Sequence, residues 1–189
     1  MMNILITVAH PDDETIGMGG TIKKLSKNNE ITLCVMTDGA SAQYDGKKMI
    51  KVRQDACKKA GKILGISKFH FLNFPDMKLD SISHVEMNKE LEKIIKKINP
   101  KILYSTSYND LNKDHQKVFE SCSVISRPLS SKIKKFLCFE MGGRNKIPFN
   151  PNTYVDISKE LSFKLKALNQ YKTEINPFPH ERSLKFIES

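Results

Sequence analysis

Near the start of the chain, Ala9-His10-Pro11-Asp12-Asp13-Glu14 puts an imidazole and three carboxylates into one proline-stiffened loop. His10 and Asp13 stand three residues apart, close enough for both side chains to reach one ion, while Asp12 between them must point elsewhere. Two adjacent carboxylates therefore take separate jobs. Asp13 as a ligand would carry the metal's charge, and Asp12, beside the activated water without ligating, could accept its proton. A third protein ligand is needed. His115, in Asp110-Leu111-Asn112-Lys113-Asp114-His115, is the best remaining candidate, with the neighbouring Asp114 expected to orient its ring. A His, Asp, His set with open positions suits a catalytic zinc ion, and equally the two-histidine, one-carboxylate triad of iron oxygenases. Hydrolysis is the expectation, because those oxygenases usually occupy barrel-like scaffolds.

These loops need elements to hold them. Asn3 to Ala9 is a short apolar run without polar alternation, the pattern of a strand buried on both faces of a parallel sheet. A helix follows over Thr15 to Lys27, then a second buried strand over Ile31 to Thr37. Val52, Ala56, Ala60, Ile63 and Leu64 mark the inner face of a helix ending at Gly65. Phe69 to Phe74 is a third strand. Met87, Leu91, Ile94, Ile95 and Ile98 repeat at helical spacing until Asn99-Pro100 stops the helix, and Ile102 to Ser105 is a fourth strand. Phe136 to Glu140, Tyr154 to Ile157 and a helix carrying Leu161, Leu165 and Leu168 complete the order.

Alternating strands and helices predict a single α/β domain over residues 1–189, three-layered and Rossmann-like, with a mostly parallel sheet. In such sheets ligands bind beyond the carboxyl ends of the strands. The polar clusters His10 to Glu14, Thr37-Asp38-Gly39, Phe74-Pro75-Asp76 and Tyr108 to His115 all follow strands, so they fall on one rim.

At 189 residues the chain can bury a core that stands without structural metals, so a bound metal would be catalytic. An apolar fraction of 39% and a charged fraction of 28% exclude a disordered chain. Cys34, Cys57, Cys122 and Cys138 form no C-x-x-C pair and are expected to be reduced core thiols. Ile4 to Ala9 lacks the basic flank of a signal peptide, and no run approaches a membrane span, so a cytoplasmic location is expected. The net charge of +10 invites a nucleic-acid partner, but the lysines are spread along the whole chain and no recognition motif accompanies them, so none is expected. Gly17, Gly19 and Gly20 lack the dinucleotide spacing, and the loop before them is acidic, which argues against a nucleotide cofactor. His70 is expected as a strand residue and His84 as a surface residue near a helix start.

Ala9 to Glu14 after an N-terminal strand, Thr37-Asp38-Gly39 and Asp110 to His115 resemble the LmbE-like, PIG-L-type N-deacetylases. Weaker matches run through Arg53, Leu64-Gly65, Asp76, Tyr154 to Ser158, Lys166-Ala167-Leu168 and Tyr171, so the resemblance spans nearly the whole chain. It implies Zn2+ held by His10, Asp13 and His115, with Fe2+ as the alternative, Asp12 as general base, and an N-acetylglucosamine-like substrate. It also implies positions near the sugar for Arg53 and Asp76, although a solvated helix start would explain Arg53 as well.

In two respects the chain departs from that family. Many members carry histidine where Asn112 stands here; an amide can donate a hydrogen bond to a developing oxyanion but cannot shuttle a proton. The acid step then falls to Asp12 recycled, with His180 in Pro179-His180-Glu181-Arg182-Ser183 as a second candidate, from this chain or a neighbouring subunit of a homo-oligomer; the alternative for His180 is a tail residue in solvent. Relatives also usually run on for a further helix and strand where Ser189 stands, which raises the expectation of an edge supplied by a partner or of a fragment. The rival readings are a zinc amidohydrolase acting on a non-sugar amide and a catalytically weakened sugar-binding subunit.

Overall fold

A computed structural model describes residues 1–44, 47–128, 131–142 and 145–188. The C-terminal Ser189 lies outside the described residues.

Strand β1 (Asn3–Val8) leads into helix α1 (Asp13–Leu25), β2 (Glu30–Thr37), α2 (Lys47–Leu64) and β3 (Lys68–Phe74). After a short 3-10 turn at Leu79–Ser81 come α3 (His84–Ile98), β4 (Ile102–Thr106), α4 (Lys113–Ile125), β5 (Lys135–Phe139), α5 (Leu161–Leu168) and α6 (Leu184–Glu188). The strands form one sheet in the order β3-β2-β1-β4-β5, and every pairing is parallel. The chain thus steps outward from β1 to β3, then returns to the other side of β1 with β4. That reversal opens a crevice beyond the carboxyl ends of β1 and β4.

The apolar run at β1 is central because both its faces are covered. Ile4, Ile6 and Val8 pack with Met18, Ile22, Cys57, Ala60, Leu64, Ala167 and Tyr171 on the side of α1, α2 and α5. Leu5 and Ala9 face the opposite core with Met87, Leu91, Ile94, Val118 and Cys122 of α3 and α4. Strict alternation of the β1 side chains between the two cores is what a helix–sheet–helix sandwich requires of a central strand.

The helix boundaries have local causes. Helix α2 ends before Gly65, whose φ of +89 continues the chain in a left-handed step. Helix α3 stops at Asn99 in the left-handed conformation, ahead of Pro100. Helix α1 begins at Asp13, two residues earlier than the apolar pattern indicates, which puts Asp13 and Glu14 in its first turn. The first-turn position suits acidic side chains. The helix is interrupted at Met18, with φ −141 and ψ 21, beside Gly19-Gly20.

Tyr154 to Ile157 is not a strand. Tyr154 is 80% exposed, and only Ile157 packs inward, against Gly20, so the segment has no continuous inner face to pair. Cys34, Cys57 and Cys122 are buried free thiols, and Cys138 is half-buried and free. Two of the lysines of α3 pair along its exposed face, Lys93 with Glu90 at 2.6 Å and Lys96 with Glu92 at 3.6 Å. His70 lies in β3, and His84 is half-buried at the first position of α3. No helix among the described residues is long and apolar enough to cross a membrane.

Candidate active site

Each polar loop on the carboxyl rim has a local reason for its shape. After β2, the Thr37 hydroxyl donates to the Ala9 carbonyl at 2.7 Å, tying the β1 and β2 loops together. Asp38 Oδ1 accepts from the backbone N–H groups of Ala40 and Ser41, both at 2.9 Å. Gly39 has φ +63, and a Cβ there would stand 2.3 Å from Pro11 Cδ. Only glycine combines this conformation with so close an approach. Thr37-Asp38-Gly39 therefore braces the His10 loop.

After β4, Asn112 caps α4: its Oδ1 accepts from the Asp114 N–H at 2.8 Å. This turns Asp114 and His115 into the first helical turn, both buried. His10 N–H donates to Asp13 Oδ2 at 2.8 Å, which folds the β1 loop back onto the start of α1.

The two loops meet at the crevice. His10 Nδ1 lies 3.2 Å from His115 Nε2, and Asp13 Oδ2 lies 3.5 Å from the first and 3.3 Å from the second. One ligand atom from each of these residues falls within 4.8 Å of the others. Two imidazole nitrogens and a carboxylate oxygen converging on one point, all from buried or half-buried residues, are the donor set of a zinc or ferrous site. A second grouping, His10, Asp76 and Asp114, meets the same spacing through the other side of the His10 ring. There His10 Nε2 is 3.2 Å from Asp76 Oδ1 and 3.3 Å from Asp114 Oδ2. These two carboxylates brace the ring whose Nδ1 faces Asp13.

The carboxylate that orients His115 is Asp110, not Asp114. Asp110 Oδ2 is 2.7 Å from His115 Nδ1. Asp114 instead accepts the backbone N–H groups of Met77 at 2.8 Å and Leu79 at 3.0 Å. A residue adjacent in a helix points away from its neighbour, whereas the chain that enters the helix can curl Asp110 under the ring.

Arg53 and Asp76 both sit at the cluster, and burial removes the solvated-helix-start alternative for Arg53. Arg53 is buried, not solvated; its guanidinium lies between Asp12, at 3.5 Å, and Glu174, at 3.2 Å. Asp76 is buried against His10. His180 is exposed, its Nδ1 accepting from the Arg182 N–H at 3.0 Å, and it does not join the cluster. The residue of that segment that does reach the site is Arg182, with Nη1 3.3 Å from Asp12 Oδ2. Asp110 belongs to the same motif as His115, but its contact depends on how the chain enters α4 and not on adjacency, whereas Glu174 and Arg182 stand in no local pattern that marks a site. Glu14 is buried too, its Oε1 accepting from Tyr171 Oη and Thr15 Oγ1, each at 2.6 Å.

The electrostatics follow from burying so many charges together. Burial disfavours the charged imidazoles, yet the facing carboxylates outweigh it: His10 is raised well above its ordinary value, with Asp13 the main partner, and His115 is raised to about 9 by Asp13 and Asp110. Against the burial that would push it up, the two imidazoles hold Asp13 well below the usual carboxylate range. Asp12 moves the other way. Burial raises it, with Asp13 and Glu174 adding to this and Arg53 and Arg182 opposing it. Adjacent aspartates whose environments push them apart are suited to different roles, one as a permanent anion and one as a proton carrier.

A cavity of about 820 Å³ opens beside the cluster, with His115, Asn112, Met77, Lys164, Arg182 and Phe186 among its walls. Such a space accommodates a small ligand. Fold and site together define a three-layer, parallel-sheet α/β protein with a candidate metal centre at the switch point of its sheet.

The sequence profile of the family described as PIG-L: GlcNAc-PI de-N-acetylase matches residues 5–125. Diacetylchitobiose deacetylase of Thermococcus kodakarensis is 28% identical over 195 residues, covering 94% of this chain and 71% of that protein. The uncharacterized deacetylase YaiS of Escherichia coli is 31% identical over 180 residues, covering 90% of each. The solved structure of N,N'-diacetylchitobiose deacetylase from Pyrococcus horikoshii superposes with a TM-score of 0.75 at 26% identity, covering 96% of this chain and 72% of that one. The chain belongs to the PIG-L, GlcNAc-PI de-N-acetylase, family and is an N-deacetylase, a hydrolase of carbon–nitrogen bonds.

Proposed function

We propose that this enzyme removes the acetyl group from an N-acetylglucosamine-like sugar, with His10, Asp13 and His115 holding Zn2+, or Fe2+ in its place, and Asp12 as the general base. The observation that carries this reading is the convergence of His10 Nδ1, Asp13 Oδ2 and His115 Nε2 beside a cavity, with the Asp12 carboxylate adjacent in the chain and left out of the ligand set. The named activities of the two diacetylchitobiose deacetylases support the substrate class.

A divalent cation at this site supplies a Lewis acid and a water acidified to a pKa of roughly 7. Asp12 would accept the proton of the water that adds to the acetamide carbonyl. It then returns the proton to the nitrogen as the C–N bond breaks, giving acetate and the free amine. Asn112 is oriented for its part by its own cap. With Oδ1 committed to the Asp114 N–H, the amide NH2, which donates to Met77 Sδ at 3.6 Å beside the cavity, is the group that can exchange that weak acceptor for the carbonyl oxygen. Asp110, Asp76 and Asp114 hold the two imidazoles. The exposed His180 is given no part in proton transfer. Four unpaired thiols suit a reducing compartment, and we assign the enzyme to the cytoplasm.

The test is acetate release from N-acetylglucosamine, N,N'-diacetylchitobiose and a non-sugar acetamide, with zinc-loaded and ferrous-loaded protein. Turnover of the sugars alone is expected. Equal turnover of the non-sugar amide would overturn the sugar assignment, and no turnover of any by a metal-loaded protein would overturn the hydrolytic one.

A further inference from the structure

We propose that Arg182 is a positioning residue for the Asp12 carboxylate, and that the segment from Glu174 to Ser183 is thereby part of the active site. The proposal rests on the hydrolytic reading above, which gives Asp12 its role as base.

Four side chains close a ring. Asp12 Oδ1 lies 3.5 Å from Arg53 Nη2, and Arg53 Nη1 lies 3.2 Å from Glu174 Oε1. Glu174 Oε2 lies 3.1 Å from Arg182 Nη1, which lies 3.3 Å from Asp12 Oδ2. Each oxygen of Asp12 therefore faces a different guanidinium, and both guanidiniums are anchored on the same glutamate. Asp12, Arg53 and Glu174 are buried; only Arg182 is partly exposed, at 33%.

The position of Asp12 makes this ring consequential. Asp12 is the N-cap residue of α1, where an aspartate ordinarily turns its carboxylate back to accept helix N–H groups. It makes no such bond. With the cap interaction absent, the two guanidiniums are what fixes the rotation of the carboxylate, and rotation decides whether an oxygen meets the attacking water. A base held off-line by about 1 Å loses on the order of 100-fold in rate.

Arg182 is delivered by a tightly tied strap. Asn176 N–H donates to the Arg182 carbonyl at 3.3 Å, Arg182 N–H to His180 Nδ1 at 3.0 Å, and Ser183 N–H to the His180 carbonyl at 2.8 Å. Ser183 is 2% exposed. His180, exposed and outside the cluster, thus acts through the backbone of its neighbour. Arg182 is also among the residues that line the cavity.

The experiment compares parent, Arg182→Ala and Arg182→Gln in the full-length, metal-loaded protein, measuring kcat and KM on N,N'-diacetylchitobiose, metal content, and the crystal structure of each. Loss of the guanidinium is expected to lower kcat about 10- to 100-fold with KM and metal content held. Guanidinium ion added below denaturing concentrations is expected to restore part of kcat in Arg182→Ala, and the variant structures to show the Asp12 carboxylate turned from its parent orientation. Parent kcat in both variants, or a loss that follows metal content and does not respond to guanidinium, would overturn the proposal. If Arg182→Ala does not fold, Arg182→Gln decides by the same kcat and Asp12 orientation. A parent that hydrolyses no N-acetyl sugar, with Asp12 still turned in the variants, would remove the hydrolytic reading and leave the positioning role standing. An unmoved Asp12 would remove the positioning role.

Discussion

Asp110 Oδ2 stands 2.7 Å from His115 Nδ1, so the nitrogen that His115 turns toward His10 and Asp13 is Nε2. Asp110 Oδ1 meanwhile accepts the Asn112 N–H at 2.8 Å, tying the same carboxylate into the cap of α4. One side chain thus sets both the ring's orientation and the start of the helix that carries it. Asp110→Ala is expected to keep the fold and weaken metal binding about 10- to 100-fold, because an imidazole without its partner is free to rotate. Competition titration against a chelator measures this; parent affinity would show that the ring is held by packing alone.

Replacing the base and replacing a ligand separate two functions of neighbouring carboxylates. Asp12→Asn is expected to retain metal and lose about 10²- to 10⁴-fold in acetate release, the range ascribed to a general base. Asp13→Ala and His115→Ala are expected to lose the metal. Metal content by mass spectrometry, read beside turnover, tells the cases apart. Full turnover by Asp12→Asn would move the base elsewhere.

In the metal-free protein the ligand cluster couples stability to pH. His115, raised to about 9 in the folded protein against 6.5 ordinarily, contributes stability that is fully present below about pH 6.5 and is lost as pH rises through about 9. Metal competes with those same protons, so its affinity rises over that window. Thermal unfolding between pH 6 and 9 is expected to show Tm of the metal-free protein falling and the increment from added zinc growing. A metal increment independent of pH would contradict the ligand assignment.

Buried Glu14 gives the opposite experiment, removal of a titrating group. Burial pushes its carboxyl up to about 7 despite the hydroxyls of Thr15 and Tyr171, so the folded protein holds a proton there that the unfolded chain has released. Stability therefore falls as pH rises from about 4.5 through about 7, by roughly 3 kcal/mol at the scale of 1.4 kcal/mol per unit. Glu14→Gln is expected to flatten that part of the metal-free stability curve while keeping an oxygen for the Tyr171 hydroxyl. Denaturant unfolding at pH 5 and pH 8 measures it. Parallel curves for the two proteins would place the titration elsewhere.

Which parts of this molecule are legible without coordinates depends on distance along the chain. The β1 run is recognisable because Ile4, Leu5, Ile6 and Val8 must be apolar to serve two cores, and the stop of α3 because Asn99-Pro100 acts within a few residues. His10 and Asp13 can be paired from their spacing alone, since a turn between them brings their side chains together whatever the rest of the fold does. Tyr154 to Ile157 shows the opposite case. Its apolar residues fit a strand, but with Tyr154 in solvent only Ile157 of its apolar side chains packs inward, against Gly20.

Local chemistry in the sequence determined the alternation of strands and helices from β1 to β4, the parallel α/β class, the rim on which the polar loops gather and the three candidate ligands, but not helix α4. Tertiary structure alone decided that Asp110 rather than Asp114 orients His115, that Arg53 is buried beside Asp12, and that Arg182 closes the ring from 170 residues away. The reason is physical: turn and helix geometry act over a few residues and leave periodic traces, whereas an ion pair between distant segments is specified only by how the layers pack. Arginine and glutamate are common on any surface, and nothing in their immediate neighbours distinguishes the pair that the fold turns inward.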